Sequence, residues 1–286
     1  EDVRTRRGSE PWLAYAGETQ TFGELGEHAE RVAAALVAAG VEPGTGVALF
    51  MGNRFEWLHT EFGVGLAGAW MVPVNTYLRT RELDHILRSS ASRVLIWDDT
   101  VLGRDTRPLL LELLPELEAA GPGRWRADRY PGLRVVVGFG DGRWPQGVTP
   151  WHEFLAAGEA VDRAEVRRRA AAVAPEDTGL VIYTSGTTGR PKGAVLTHTG
   201  IVDHMREWAR HLGIADSDRS MLGSPLFWVF GCTMNALVPL LSGAMLVLHE
   251  RFDARRFLAD LERYGVTHLQ GVPDQYEMLL GDEESE

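Results

Sequence analysis

The chain has 286 residues, 44% hydrophobic and 24% charged, so it can bury a substantial core and has the composition of an ordinary globular protein. Its formal net charge of −11 argues against non-specific binding to nucleic acid or to an anionic membrane. The single cysteine, Cys232, excludes an internal disulfide and a cysteine-based zinc site. No apolar run approaches the ~18 residues of a membrane span, and no secretory signal is found, so we expect a cytoplasmic protein without a membrane span.

The first hundred residues alternate between strand and helix patterns. Residues 13–21 predict a small hairpin, and Thr21 and Glu24 have capping-box spacing before a helix that ends near Ala39, with Gly40 as its stop. Further strands are predicted at 47–51, 70–74 and 93–97, and further helices at 55–67 and at 82–87, the latter capped by Thr80. Strands separated by helices at this rhythm predict βαβ units and mainly parallel sheets.

Residues 98–175 have a less regular pattern. A helix is predicted at 109–117, although Pro115 should break or end it, and a strand is predicted at 133–137. The run Arg167-Arg168-Arg169 is interpreted as a solvated helix face, with a phosphate site as the alternative.

A short buried strand at 180–182 leads into the segment Thr184-Ser185-Gly186-Thr187-Thr188-Gly189-Arg190-Pro191-Lys192-Gly193. Glycines let the backbone approach a ligand, consecutive N–H groups and hydroxyls form an anion-binding concavity, and Lys192 adds a positive charge. The pattern therefore predicts polyphosphate binding, with an ordinary surface loop as the alternative. It is not a Walker A loop, because Pro191 precedes the lysine and Gly193 follows it.

The ordered segment from Tyr183 to Gly193 resembles the phosphate-binding signature of the adenylate-forming (ANL) superfamily. This superfamily includes acyl- and aryl-CoA synthetases (AMP-dependent synthetases and ligases), the adenylation domains of nonribosomal peptide synthetases, and luciferases. The resemblance covers nearly the whole chain and implies an α/β fold, a layered βαβ sandwich of two mainly parallel sheets. It also implies two subdomains, one at about 65–215 and the other combining about 1–60 with 216–286.

The resemblance implies a mechanism that uses ATP, Mg²⁺ and coenzyme A. A carboxylate attacks the α-phosphorus of ATP to give an acyl-adenylate and pyrophosphate, and a thiol then takes the acyl group. Hydroxyl and backbone donors to the phosphates would come from Thr184, Ser185, Thr187 and Thr188, and close approach would be allowed by Gly186, Gly189 and Gly193. Lys192 would compensate charge, and with Thr184 and Thr187 it forms the predicted catalytic set.

Beyond this motif the strand and helix alternation continues. Thr197 or Thr199 is expected to start a helix reaching about His211. Strands are predicted at 221–222, 244–248 and 267–272, and helices at 225–240, at 254–264 after a cap by Asp253, and at 276–280. The histidines in this part show no metal-ligand spacing, so no metal site is assigned to them.

The stretch from Pro225 to Gly231 resembles the family's PLFHxxG motif, with Trp228 where the histidine usually stands. A tryptophan there should block or reshape an acyl tunnel, and the alternative is that these aromatics only fill the core. Gln270 to Pro273 resembles another pocket wall, and Asp274 after it is interpreted as a helix N-cap. The residues expected to face an aryl or alkyl acid are Phe227, Trp228, Val229, Gly231, Asn235 and Val272.

Several parts of the family's catalytic machinery would lie beyond residue 286. These are the YGxTE motif that helps hold Mg²⁺, the aspartate that binds ribose, the hinge, and the C-terminal domain with the catalytic lysine. Three hypotheses follow: the N-terminal part of an acyl-CoA synthetase, a natural half-length nucleotide- or acyl-binding module or split partner, and an enzyme that adenylates an unusual non-carboxylate acceptor. An open sheet edge at the break predicts pairing, with a second copy in a homodimer or with the missing C-terminal half.

Overall fold

The computed structural model describes residues 6–184 and 190–281. The chain divides into two compact units, one formed by residues 1–26, 53–56 and 201–286, the other by residues 27–52 and 57–200. Each unit contains one large sheet, so we name them the five-stranded unit and the seven-stranded unit. No helix in the described part of the chain is both long and apolar enough to cross a bilayer.

The elements follow one another in regular α/β alternation. The strands are β1 (Pro11–Tyr15), β2 (Glu18–Thr21), β3 (Gly46–Phe50), β4 (Trp70–Pro73), β5 (Val94–Asp98), β6 (Thr100–Val101), β7 (Arg104–Asp105), β8 (Val135–Phe139), β9 (Thr149–Pro150), β10 (Thr178–Thr184), β11 (Lys192–Thr197), β12 (Arg219–Leu222), β13 (Met245–Leu248) and β14 (His268–Leu269). The α-helices are α1 (Phe22–Ala38), α2 (Phe55–Leu66), α3 (Thr80–Ser90), α4 (Arg107–Leu113), α5 (Trp151–Ala157), α6 (Arg163–Ala172), α7 (His198–Leu212), α8 (Val238–Ser242), α9 (Ala254–Tyr264) and α10 (Pro273–Gly281). Short 3₁₀ turns span Pro115–Glu118 and Gly158–Ala160, and a π-helix spans Phe230–Leu237.

The sheet of the five-stranded unit has the order β14-β12-β13-β1-β2. Its pairs are parallel except for the antiparallel hairpin β1–β2, which confirms the hairpin predicted at residues 13–21. Trp12, Leu13 and Ala14 of β1 are all buried. Core packing therefore stabilises this hairpin in addition to the backbone hydrogen bonds between β1 and β2. Parallel pairing of β1 with β13 joins residues from opposite ends of the sequence.

The sheet of the seven-stranded unit has the order β11-β10-β4-β3-β5-β8-β9. Every pair is parallel except β10–β11, so the expectation of mainly parallel sheets is confirmed in both units. The central strands are buried on both faces, and Phe50 on β3 stacks on Trp97 of β5 with ring centroids 3.9 Å apart. Strand β3 lies in this sheet, whereas the resemblance grouped it with residues 216–286; the subdomain boundaries near residues 60 and 215 remain a proposal.

Two of the predicted helix caps are present in the structure, and the one at Thr80 is not. Thr21 and Glu24 form the predicted capping box: the Thr21 N–H donates to Glu24 Oε2 (2.7 Å) and the Glu24 N–H donates to Thr21 Oγ1 (3.2 Å). Asp253 caps α9 as predicted, accepting from the Arg256 N–H at 3.1 Å. The predicted cap at Thr80 is wrong, because Thr80 is already the first helical residue of α3.

The predicted cap at Asp274 is also wrong, because Asp274 is the second residue of α10. The side chain that bonds back to the start of this helix is Gln275, whose Oε1 accepts from the Val272 N–H at 3.2 Å. Pro115, in contrast, ends α4 as expected: the helix stops at Leu113 and a 3₁₀ turn begins at the proline.

Three further elements differ between the structure and the prediction. Strand β11 was not predicted, and the strand expected at 267–272 is limited to the two residues of β14. The helix expected at 225–240 begins as a π-helix at Phe230 and becomes α-helical only at Val238. Periodicity alone does not separate these possibilities for short apolar runs.

The arginine run lies on α6, and only part of it is a solvated face. Arg168 is exposed and pairs with Glu165 (2.5 Å). Arg169 keeps only 10% of its side chain exposed, because its guanidinium donates to Glu165 Oε1 (2.7 Å) and to the carbonyl of Val41 (2.6 Å). Arg169 therefore ties α6 to the turn before β3.

A single buried asparagine joins three chain segments in the five-stranded unit. The Asn53 amide nitrogen donates to the carbonyls of Ser224 (3.0 Å) and His249 (2.9 Å), which follow β12 and β13. Its Oδ1 accepts from the Leu226 N–H at 2.7 Å. Asn53 is 3% exposed, so its hydrogen bonds are made in the protein interior. Without the Asn53 side chain, the three backbone groups would lose a buried hydrogen-bond partner.

The seven-stranded unit contains a stacked histidine pair. His28 on α1 and His59 on α2 have ring centroids 4.4 Å apart and planes 15° from parallel. Burial, helped by the positive charges of His28 and Arg31, lowers the pKa of His59 from 6.5 to about 3. The folded chain therefore keeps this imidazole neutral at a pH at which the unfolded chain would protonate it.

We expect Asn53→Ala to lower the free energy of unfolding by about 3 kcal/mol, because it leaves three buried backbone groups without this partner. The matched control is Asn75→Ala, which removes one bond to the Tyr77 N–H (2.8 Å) at an exposed turn and should cost under about 1 kcal/mol. Denaturant unfolding followed by tryptophan fluorescence measures both. Equal losses in the two variants would show that the Asn53 bridge contributes no special stability.

We expect the stability of the wild-type chain relative to His59→Phe to fall as the pH drops from about 6.5 towards 3, with a slope of at most ~1.4 kcal/mol per pH unit. The sign follows because the unfolded state binds a proton at His59 in this window and the folded state does not. Phenylalanine keeps an aromatic ring against His28 and cannot titrate. The control is His152→Phe, whose side chain is 83% exposed. A pH-independent difference between wild type and His59→Phe would contradict the prediction.

Candidate functional site

The two ends of the predicted phosphate segment lie on paired strands of the seven-stranded unit, and we call the strand pair β10–β11 the hairpin. Strands β10 and β11 pair antiparallel with Tyr183 opposite Gly193 and Thr184 opposite Lys192. Thr184 and Lys192 are both exposed, and they form the last pair of the ladder before the connecting segment. The structure therefore brings two of the predicted phosphate ligands together. Five others lie outside the described residues, namely Ser185, Gly186, Thr187, Thr188 and Gly189, and Gly193 lies next to Lys192 on β11.

The direction of β10 places this hairpin end at the carboxyl edge of the sheet. Strand β10 runs parallel to β4, with Leu180 opposite Met71, and β4 runs parallel to β3. The carboxyl ends of these strands therefore share one edge. In open α/β sheets, ligands bind outside the carboxyl ends of the strands. The position of Thr184 and Lys192 follows this rule.

Helix α3 contacts both arms of the hairpin, which the sequence motif did not indicate. His85 Nε2 lies 2.8 Å from the carbonyl oxygen of Pro191, and Ser89 Oγ lies 2.7 Å from the Tyr183 hydroxyl. A groove of about 450 Å³ lies between the helix and the hairpin, with these four residues in its lining. These contacts join residues about a hundred positions apart, so no local pattern could reveal them.

Gly193 serves close packing between the strands. A Cβ at this position would meet Val181 Cγ1 at 3.0 Å and the Tyr183 ring at 3.3 Å. The space left by the missing side chain is thus used by the facing strand β10. Its approach to a phosphate, which the resemblance implies, remains a prediction.

The predicted acid-binding residues lie in the five-stranded unit, all of them in the segment after β12 except Val272, which follows β14. Phe227 is buried, whereas Trp228 is 42% and Val229 is 48% exposed. The Phe227 and Trp228 rings meet edge to face at 5.6 Å. Phe227 therefore acts as a core aromatic that supports Trp228, and Trp228 presents a large apolar surface with one N–H donor.

Gly231 is required by the tight turn that presents Trp228. A Cβ on Gly231 would lie 2.2 Å from the carbonyl oxygen of Pro225, so no other residue fits without moving the backbone. The Gly231 and Cys232 N–H groups both donate to the Trp228 carbonyl, at 2.9 and 3.0 Å. The π-helix that begins at Phe230 continues this turn; such helices are frequent at functional sites.

Two of the predicted acid-facing residues have different environments. Asn235 is 1% exposed, and its amide nitrogen donates to the carbonyl of Phe230 at 2.8 Å, so its side chain stabilises the π-helix. Val272 is 41% exposed and precedes α10. Direct contact of either with a substrate remains a prediction.

Polar groups at the carboxyl ends of β12 and β14 are buried without hydrogen-bond partners among residues 6–184 and 190–281. They are Ser224 Oγ and both polar atoms of the Gln270 side chain. Buried polar groups in folded proteins are nearly always bonded, to protein, water or a ligand. His249, which follows β13, lies 3.3 Å from Asp260, and burial lowers its pKa although that carboxylate opposes the shift. This edge of the five-stranded sheet is therefore polar and incompletely satisfied.

The histidine that follows the phosphate segment, His198, lies at the start of a helix. His198 is the first residue of α7 and is half-buried, and desolvation lowers its pKa. Within residues 6–184 and 190–281, no three side chains of the His, Cys, Asp or Glu type gather as a metal site would need.

Comparison with known proteins adds independent information. The family model described as "AMP-binding enzyme" matches residues 1–286. A putative acyl-CoA synthetase YngI of Bacillus subtilis is 31% identical over 256 residues, covering 90% of this chain and 46% of the relative. A feruloyl-CoA synthase of an Amycolatopsis species is 34% identical over 271 residues, covering 93% of this chain and 46% of the relative.

Solved structures show the same fold. The anthranilate CoA ligase AuaEII, determined in complex with anthranoyl-AMP, superposes with a TM-score of 0.80 at 27% identity, covering 97% of this chain and 50% of that one. The chain thus spans about half the length of the relatives it matches. The match of the family model over the full chain, together with the two α/β sheets and the hairpin at the sheet edge, shows that the chain belongs to the family of AMP-binding enzymes, within the adenylate-forming superfamily.

Proposed function

We propose that this chain is the N-terminal AMP-binding part of an ATP-dependent acid–thiol ligase of the acyl-CoA synthetase type. In this proposal the seven-stranded unit binds the triphosphate of ATP, and the five-stranded unit supplies part of the acyl pocket. The observation that carries the proposal is the pairing of Thr184 with Lys192 at the carboxyl edge of a parallel sheet. That pairing puts a hydroxyl donor and a cation at the two ends of a segment rich in glycine and threonine.

The reaction proposed is a two-step acyl transfer. A carboxylate oxygen of the acid attacks the α-phosphorus of ATP, the bond between that phosphorus and the α,β-bridging oxygen breaks, and pyrophosphate leaves with the electron pair. The thiol of coenzyme A then attacks the acyl carbon and AMP leaves with the electron pair. Thr184 would donate to the phosphates, and Lys192 would compensate the charge that develops on their oxygens. The Mg²⁺ that accompanies ATP would supply further charge neutralisation.

The acid proposed is an aryl or alkyl carboxylic acid. Trp228 and Val229 present exposed apolar surface, and the similar proteins include ligases for ferulate and anthranilate. A role in fatty acid metabolism and a cytoplasmic location are also proposals. The Gln270 amide and the Ser224 hydroxyl have no hydrogen-bond partner within the described ranges, which favours an occupant with polar atoms at the carboxyl edge of this sheet.

A nucleotide- or acyl-binding module without its own turnover is the second candidate, because the pairing of Thr184 with Lys192 supports phosphate binding and does not by itself require a reaction. Adenylation of a non-carboxylate acceptor remains a third. ATP–pyrophosphate exchange with a panel of acids separates the candidates, because the exchange requires formation of an adenylate. ATP binding without exchange for any acid would favour the module, and absence of ATP binding would contradict the proposed function.

We expect Lys192→Ala to weaken ATP binding by about 10- to 100-fold, because one charge-assisted contact to phosphate is lost. Equilibrium binding of ATP to the 286-residue chain measures this effect. The control is Arg167→Ala, which removes the same charge at an exposed position of α6. Equal weakening in both variants would indicate general electrostatics and contradict the assignment of Lys192.

We expect Trp228→Ala to shift acid preference towards bulkier acids, because it removes the large ring that Phe227 supports. The ratio of kcat/KM for long and short acids in pyrophosphate exchange should change by about 10-fold or more. Trp208→Ala, on α7 of the same unit, is the control and should leave the ratio unchanged. An unchanged ratio in Trp228→Ala would show that this side chain does not limit the pocket.

A further inference from the structure

The hairpin that bears Thr184 and Lys192 has limited support from its own sheet. Strand β11 is the last strand of the seven-stranded order, so its ladder pairs with β10 on one side only. Its first four residues, 192–195, are all exposed. Such a strand has one neighbouring strand and little core packing to fix its position. Contacts made at its ends therefore contribute strongly to its position and orientation.

Helix α3 makes such contacts next to Thr184 and Lys192. His85 bonds to Pro191, the residue before Lys192, and Ser89 bonds to Tyr183, the residue before Thr184. His85 and Ser89 are four residues apart, so they lie on one face of the helix. That face therefore contacts both strands of the hairpin, each next to the residue where the described strand pair ends.

The proton directions in these contacts follow from their partners. The Pro191 carbonyl can only accept, so His85 Nε2 carries the hydrogen and donates. Ser89 Oγ also lies 2.7 Å from the carbonyl of His85, which can only accept its single proton. The Tyr183 hydroxyl is then the donor to Ser89.

The helix that makes these contacts is itself firmly anchored. Leu83, Ile86 and Leu87 are buried in the core of the seven-stranded unit, while His85 and Ser89 project at the other face. Between the helix and the hairpin lies the groove of about 450 Å³, so the two hydrogen bonds span a gap that side chains do not fill.

We propose that His85 and the Ser89–Tyr183 pair are positioning residues that hold Thr184 and Lys192 in the geometry that binds the triphosphate. The inference rests on the proposed function, because it needs ATP at this hairpin. None of the three side chains is assigned a contact with ATP. They act through the backbone of Pro191 and through the strand that ends at Thr184.

The test compares His85→Leu with His85→Gln in the 286-residue chain. Glutamine can place an N–H near the position of Nε2, whereas leucine fills similar space without a donor. Two quantities are measured: hydrogen exchange of the amides of β10 and β11 without nucleotide, and the dissociation constant for ATP. Tyr183→Phe and Ser89→Ala test the second bond in the same way, and Arg81→Gln, exposed on the same helix, is the control.

The proposal expects faster exchange in the hairpin and about 2- to 10-fold weaker ATP binding in His85→Leu, both restored in His85→Gln, with no change in Arg81→Gln. Tyr183→Phe and Ser89→Ala should show the same effect, and combining them should add nothing, because each removes the same bond. Faster exchange with unchanged ATP binding would overturn the positioning role, as would unchanged exchange in His85→Leu. Failure of the wild-type chain to bind ATP would instead overturn the proposed function.

Discussion

The reversal of chain direction between β10 and β11 is the constraint on which the candidate site depends. Strand β10 is parallel to β4, so its carboxyl end must lie at the edge shared by the other parallel strands. An antiparallel β11 must then start at that same edge, and the ladder fixes Lys192 opposite Thr184. Topology alone thus brings a hydroxyl and a cation to the end of the sheet where α/β proteins bind ligands. A parallel β11 would have carried Lys192 away through a crossover.

In the five-stranded unit, backbone geometry determines the position of Trp228. Asn53 satisfies backbone groups that follow β12 and β13, and so holds the start of the segment that carries Trp228. Gly231 then permits a turn in which the Pro225 carbonyl comes too close for any side chain. The exposure of Trp228 is therefore a consequence of how its flanking backbone is held. A buried polar network of this kind specifies one arrangement when every member is satisfied.

Elements with strong local signals could be predicted from the sequence, and those that depend on distant partners could not. The capping box at Thr21 and the stop at Pro115 use residues within four positions, and both were predicted correctly. Strand β11 was missed because Lys-Gly-Ala-Val-Leu-Thr has no clear alternation and is defined by its pairing with β10. The π-helix at Phe230 was missed because the apolar pattern of a short run does not distinguish it from an α-helix. The phosphate signature was found because it is short and ordered, whereas His85 lies about a hundred residues away.

The contacts of α3 with the hairpin show how residues outside the sequence signature can fix the geometry of its two ends. A glycine-rich segment gains its backbone freedom at the cost of conformational entropy, so it binds an anion well only when its ends are held. Here the ends are held by groups of ordinary character: a histidine on α3, a serine one turn later, and a tyrosine on β10. The positioning role proposed for them rests on where they lie and not on their residue type. Their effect comes from a helix whose other face is fixed in the core, which transmits that rigidity to the hairpin through two hydrogen bonds.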